Sequence, residues 1–154
     1  MLQYERKRLN YKLLFQEVNA TETDLVLAGC RKVVRLLTIL SVIRTPGERL
    51  EMASHIIRLF DLLINSNVIH RIISLLGAVN DAHLQWESVK IITFFAPGPR
   101  IAHTPEDSQF HPGKMITKVI LGNNGVIPKL LELVASPCVE VREQAVLALG
   151  FIAR

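Results

Sequence analysis

Two stretches of this chain carry the same pattern of apolar residues, and neither can bury that pattern by itself. The C-terminal stretch from Gly122, GNNGVIPKLLELVASPCVEVREQAVLALGFIAR, reads as a short helix, a small-residue turn and a longer amphipathic helix. Gly125 is expected to close one helix. Pro128 then stands in the first turn of the next, where a missing N–H costs nothing. Ile127, Leu130, Leu131 and Val134 recur at helical spacing, Ser136-Pro137 breaks the chain, and a second stripe follows at Val141, Ala145, Ala148, Leu149 and Ile152. Helices this short gain stability only when neighbours stack on both stripes.

The neighbour is legible upstream. From Asn67 the chain runs NVIHRIISLLGAVNDAHLQWESVKIITFFA, and Val68 to Leu76 superposes on Val126 to Val134. With one residue more in the turn, Leu84 falls on Val141, Ser88 on Ala145, Ile92 on Leu149, Phe95 on Ile152 and Ala96 on Ala153. The spacing from His70 to Pro128 is 58 residues (128 − 70), longer than the roughly 40–47 of armadillo-like and HEAT-like helical units. The excess is the polar stretch from Pro97 to Pro112, and an insertion between stacked units belongs on a loop.

Around this pattern the chain reads as all-α. Residues from about Leu2 to Val18 are expected to form a first, basic helix, ended by the polar run Asn19 to Thr23. Thr23 or Asp24 caps a second helix reaching about Ile43, whose Val26, Cys30, Val33, Val34 and Leu37 repeat the intervals of Val141 to Ile152. That makes it the closing helix of a degenerate first repeat. Thr45-Pro46-Gly47 is a turn, and Leu50, Ala53, Ile57, Phe60 and Ile64 mark a third helix ended by Asn65-Ser66-Asn67. Met115 to Leu121 opens the final repeat. The expected organisation is a basic helix over 1–20, a worn repeat over 21–66, full repeats over 67–96 and 113–154, and an inserted loop over 97–112.

Composition narrows the function classes. Of 154 residues, 49% are hydrophobic and only 6% aromatic, which suits helix-on-helix packing better than a β sandwich. No apolar run is long enough for a membrane span, and MLQYERKRLNYKLLF lacks a secretory signal's apolar core. Cys30 and Cys138 make no disulfide framework, so a reducing compartment is expected. Asn19-Ala20-Thr21 matches a glycosylation acceptor only formally. The net charge of +4 all lies in the first 44 residues, yet no aromatic–basic interleaving accompanies it. It is expected to be a solvated face rather than a nucleic-acid surface.

Candidates for chemistry are sparse. His103 and His111 share a loop with Glu106 and Asp107, but their spacing fits no common metal site. His55 and His70 fall on helices near apolar faces and read as structural, while Glu140 and Glu143 read as solvated charge. No phosphate-binding glycine loop, nucleophile elbow or Cys/His arrangement occurs. The expectation is a non-catalytic protein with no metal and no cofactor.

The long helices resemble those of the armadillo-repeat family, importin-α in particular. The resemblance rests on LQWESVKIITFFAPG and SPCVEVREQAVLALGFIA: Leu84-Gln85 then Glu87, and Glu143-Gln144-Ala145-Val146, Ala148-Leu149-Gly150 and Ile152-Ala153. It covers about residues 67–154. It implies a right-handed α-solenoid of about two clear repeats and a degenerate first one, with a concave groove lined by the closing helices. In importin-α that groove holds basic nuclear-localisation peptides through a Trp and an Asn four residues apart on each closing helix. Here those positions hold Lys90 and Phe94, then Leu147 and Phe151, so the family's grip is replaced. Lys90 is expected to repel a lysine-rich ligand, and the two phenylalanines to form an apolar ladder or turn into the core.

The resemblance therefore implies an importin-α-like binding protein of the cytoplasm or nucleus, with a protein or peptide ligand in the groove around Lys90, Phe94, Leu147, Phe151, Glu87 and Gln144. The alternative is an armadillo scaffold or assembly subunit unrelated to nuclear import. With Arg154 the last residue, the stripe of Val141, Ala145, Leu149 and Ile152 is expected to be partly wet, covered by another copy or by further units of a longer array.

Overall fold

The computed structural model describes residues 11–42, 61–95, 118–122 and 125–153. These form six helices: α1 (Tyr11–Val18), α2 (Thr23–Val42), α3 (Val68–Leu75), α4 (Ala82–Phe95), α5 (Val126–Leu133) and α6 (Val139–Ile152). Residues 61–65 and 118–122 are also helical, and no strand occurs among the described residues. The basic cluster Arg6-Lys7-Arg8, the turn at Thr45-Pro46-Gly47, the stripe from Leu50 to Phe60 with His55, and the loop carrying His103, Glu106, Asp107 and His111 lie outside them.

Local chemistry sets most helix ends. The Glu22 carbonyl accepts the Val26 N–H at 3.0 Å, so α2 is capped one residue before Thr23. Asn67 takes φ 62, a left-handed conformation that asparagine tolerates better than most residues, and there the chain turns from residues 61–65 into α3. Asp81 caps α4 by accepting the Leu84 N–H on Oδ1 at 3.0 Å. Gly125 starts α5 instead of ending the helix before it, and Pro128 stands in the first turn. An N–H there has no intrahelical acceptor, so proline costs α5 no hydrogen bond.

Each long helix carries a short partner: α1 packs on α2, α3 on α4 and α5 on α6. The long helices also pack in series, α2 on α4 and α4 on α6. α3 and α5 each have eight residues, offset by 58 (126 − 68), and α4 and α6 each have fourteen, offset by 57 (139 − 82). Donors at matching positions reach acceptors at different ones. Gln85 Nε2 donates to the Leu76 carbonyl at 3.1 Å, and Arg142 Nη1 to the Ser136 carbonyl at 2.7 Å, each holding the turn before its long helix.

One continuous core runs through these layers. Val26, Cys30, Val33 and Leu37 of α2, Val89, Ile91, Ile92 and Phe95 of α4, and Val141, Ala145 and Ala148 of α6 are buried in it. Each large side chain so buried contributes about 1.5–3 kcal/mol. One expectation needs correction. Of the expected α5 stripe only Leu130 is buried; the face that enters the core is Val126, Leu130 and Leu133, whereas Ile127, Leu131 and Val134 are exposed. Both sets keep helical spacing one residue apart, so periodicity alone could not choose between them. The α6 stripe expected to be partly wet divides, with Val141 and Ala145 dry and Leu149 and Ile152 half-buried; the exposed large apolar residues of α6 are Val139, Val146 and Leu147.

Gly29, buried within α2, is where α1 comes closest. A Cβ there would stand 2.8 Å from the Val18 backbone nitrogen and 3.0 Å from Glu17 Cβ. At Gly150 a Cβ would meet nothing within 4 Å. Alanine gains about 0.5–1 kcal/mol over glycine inside a helix, but overpacking costs about 1–3 kcal/mol. Urea unfolding followed by circular dichroism should therefore show Gly150→Ala stabilised and Gly29→Ala destabilised.

Candidate peptide-binding surface

The six residues singled out in the sequence lie on α4 and α6 at repeating positions. Lys90 and Phe94 match Leu147 and Phe151 at the offset of 57, and Glu87 matches Gln144. Because α4 packs directly on α6, the two sets belong to adjacent, contacting helices. Residues four apart share one helix face, so each pair points to one side.

Their environments divide them. Leu147 is exposed, while Lys90, Phe94 and Phe151 are half-buried. Phe94 packs against the core and meets Phe95 edge-on, with ring centroids 5.4 Å apart and planes at 88°. Phe94 thus serves the core on one side while still reaching water on the other. Glu87 is buried. Its carboxylate lies 2.9 Å from Lys90 Nζ and 3.7 Å from Arg31 Nε of α2. Gln144 Nε2 donates to Thr93 Oγ1 of α4 at 3.0 Å. Glu87 and Gln144 therefore do the same work in successive layers: each reaches back to the preceding long helix.

The repulsion expected of Lys90 is weakened by its neighbours but not removed, since Glu87 is shared with Arg31. The Lys90 ammonium sits 3.8 Å from the centroid of the Trp86 ring as well as beside Glu87. Glu87 Oε2 makes no well-angled hydrogen bond despite that short separation. Charge neutralisation depends on distance far more than on angle, so the pair still cancels much of the lysine's field. The result is a capped cation flanked by apolar surface. Sequence reasoning missed Trp86, Arg31 and Thr93. The Trp86–Lys90 and Glu87–Lys90 spacings of four and three were the available signal for the first. Arg31 and Thr93 act between helices, which no local spacing shows.

Other candidates take ordinary places. Lys32 donates to both oxygens of Glu17, at 2.7 and 2.8 Å, so with Arg31 it spends its charge on this chain's own acids. His70, expected near an apolar face, is exposed. Residue 70 falls on the outer side of α3, between the buried Ile69 and Ile72. No group of three or more His, Cys, Asp or Glu side chains able to hold a metal occurs among the described residues, and no described helix is long and apolar enough to cross a membrane. No protein-family model matches the chain, and no curated protein does.

Both thiols are free, with different surroundings. Burial, reinforced by the Glu87 carboxylate and partly offset by Arg71, pushes the Cys30 thiol up to about 12 from an ordinary 9.0. Cys138 is half-buried, and its S–H donates to Glu140 at 3.1 Å. At about pH 8 a disulfide reagent should label Cys138 in the folded chain and Cys30 only after unfolding, as counted by mass spectrometry. Between the two Cys30 values the unfolded state binds fewer protons than the folded one. Stability should accordingly fall as pH rises from 9 towards 12, and Cys30→Ala should flatten that slope.

Proposed function

We propose that this chain is a non-catalytic, armadillo-type α-solenoid whose closing helices α2, α4 and α6 line a protein-binding groove. The observation that carries this reading is the serial packing of those three helices, each with a short partner, the last two pairs having identical helix lengths and offsets that differ by one residue. The matching positions of Lys90–Phe94 and Leu147–Phe151, all at least partly open to water, support a binding surface that continues from one layer to the next. The layers wind as a right-handed superhelix, and the groove takes an extended or helical peptide segment.

The chemistry of that surface selects its ligand. It offers two partly exposed rings, an exposed leucine and a lysine whose charge is partly compensated. An apolar or amphipathic peptide fits better than a lysine-rich one, since no asparagine at these positions is present to bond the peptide backbone and an unpaired buried amide costs about 1–3 kcal/mol. The role is that of an importin-α-like adaptor of the cytoplasm or nucleus with changed cargo chemistry. The same surface also serves the alternative, a scaffold subunit that uses the repeat without any part in nuclear import.

Peptide display against the folded chain, followed by calorimetry, tests this reading. Selected ligands should be rich in Leu, Ile, Val or aromatic residues, and Leu147→Asp should weaken them at least about tenfold with an unchanged helical spectrum. A basic nuclear-localisation peptide should bind more weakly than the selected ligands. Ligands indifferent to Leu147→Asp, or failure to select any, would overturn the groove assignment.

A further inference from the structure

The α5–α6 pair has apolar residues on its outer side that the matching positions of α3–α4 keep dry. Ile127, Leu131, Val134 and Val146 are 40%, 58%, 37% and 54% exposed, whereas Ile69, Ile73, Leu76 and Val89 are 2%, 9%, 0% and 0% exposed. The residue types are nearly the same, so only the covering differs.

Contacts between the layers show which way this side points. Arg31 of α2 reaches forward to Glu87 of α4, and Thr93 of α4 meets Gln144 of α6. On the stripe register that aligns Cys30 with Ala145, Arg31 matches Val146; Thr93 matches Gly150 at the offset of 57. Val146 and Gly150 thus hold the positions from which α2 and α4 grip the next long helix. At Gly150 the space is open, with nothing within 4 Å of a built Cβ. Val139 lies seven residues before Val146 and extends the same exposed stripe.

We propose that a second copy of this chain covers that side, through a two-fold contact of α5–α6 against α5–α6. The surface that matches it in the chain belongs to a pair, α3–α4, whose long helix is packed by α6, so it is shaped for an amphipathic helix pair. In another copy α5–α6 itself exposes the most apolar residues of the described pairs, whereas α1–α2 exposes only Leu13 and Leu25 among its large hydrophobics. The exposed side chains offer apolar area on the order of 400 Å². One side of a stable interface needs about 800 Å² in all, somewhat over half of it non-polar. The surrounding charge suits self-pairing. Arg142 and Glu143 stand on α6 beside Val146, so the edge carries both signs and presents no block of like charge.

Light scattering and sedimentation of the full chain from ~1 to ~100 μM test this without any peptide ligand, so its outcome is separate from that of the groove. The wild-type chain should sediment as a dimer. Leu131→Glu with Val146→Glu should raise the dissociation constant at least about tenfold, while Val79→Glu, in the turn before α4, should leave it unchanged. Gly150→Trp gives a second reading: its side chain has room in a single copy but would block the partner, so it should yield a folded monomer. A wild-type monomer at ~100 μM, a dimer indifferent to Leu131→Glu, Val146→Glu and Gly150→Trp, or growth past the dimer would overturn the proposal.

Discussion

Everything in this structure depends on α4 being held between α2 and α6. A helix hydrophobic on nearly all sides has no stable place at a surface, and α4 buries Leu84, Val89, Ile91, Ile92 and Phe95 around its circumference. Two flanking long helices and the short α3 provide the cover. The hydrophobic driving force acts through area and fixes no register, so the polar bonds that cross these layers locate them. Arg31 with Glu87, and Gln144 with Thr93, tie each long helix to the one before it.

The same two ties explain why the candidate surface is what it is. Glu87 and Gln144 are spent on the scaffold, which leaves Leu147 exposed and Lys90, Phe94 and Phe151 half-buried on the same two helices. Lys90 in turn is drawn down by Glu87 and Trp86. Because Lys90 and Arg31 share one carboxylate, the barrier to basic ligands at this position is lowered and not removed, and most of the surface is apolar. Burying Glu87 also has a consequence for Cys30, whose thiol is held neutral by the carboxylate as well as by its dry surroundings.

The legible part of the fold was that carried by periodicity and by turn chemistry. The apolar intervals put stripes where α2, α4 and α6 lie, and Asn67, Ser136 and Pro137 marked breaks that the helices respect. On α5 the intervals caught only Leu130 of the buried face. Val126, Leu130 and Leu133 compete there with Ile127, Leu131 and Val134, both sets being apolar at helical spacing, and the neighbouring helices covered only the first. His70 failed for a related reason, since a residue beside an apolar stripe can stand on either side of its edge.

By itself, then, the sequence determined that the chain is helical, where its helices break and that residues 68–95 and 126–152 share one pattern, because these follow from side-chain spacing and backbone preference along a single segment. The tertiary structure decided which of two apolar faces each helix buries, which acids neutralise Arg31, Lys32 and Lys90, and which repeat keeps an open side. Those outcomes are set between segments far apart in the chain. The free energy of burial depends on what lies opposite, and no local interval records that.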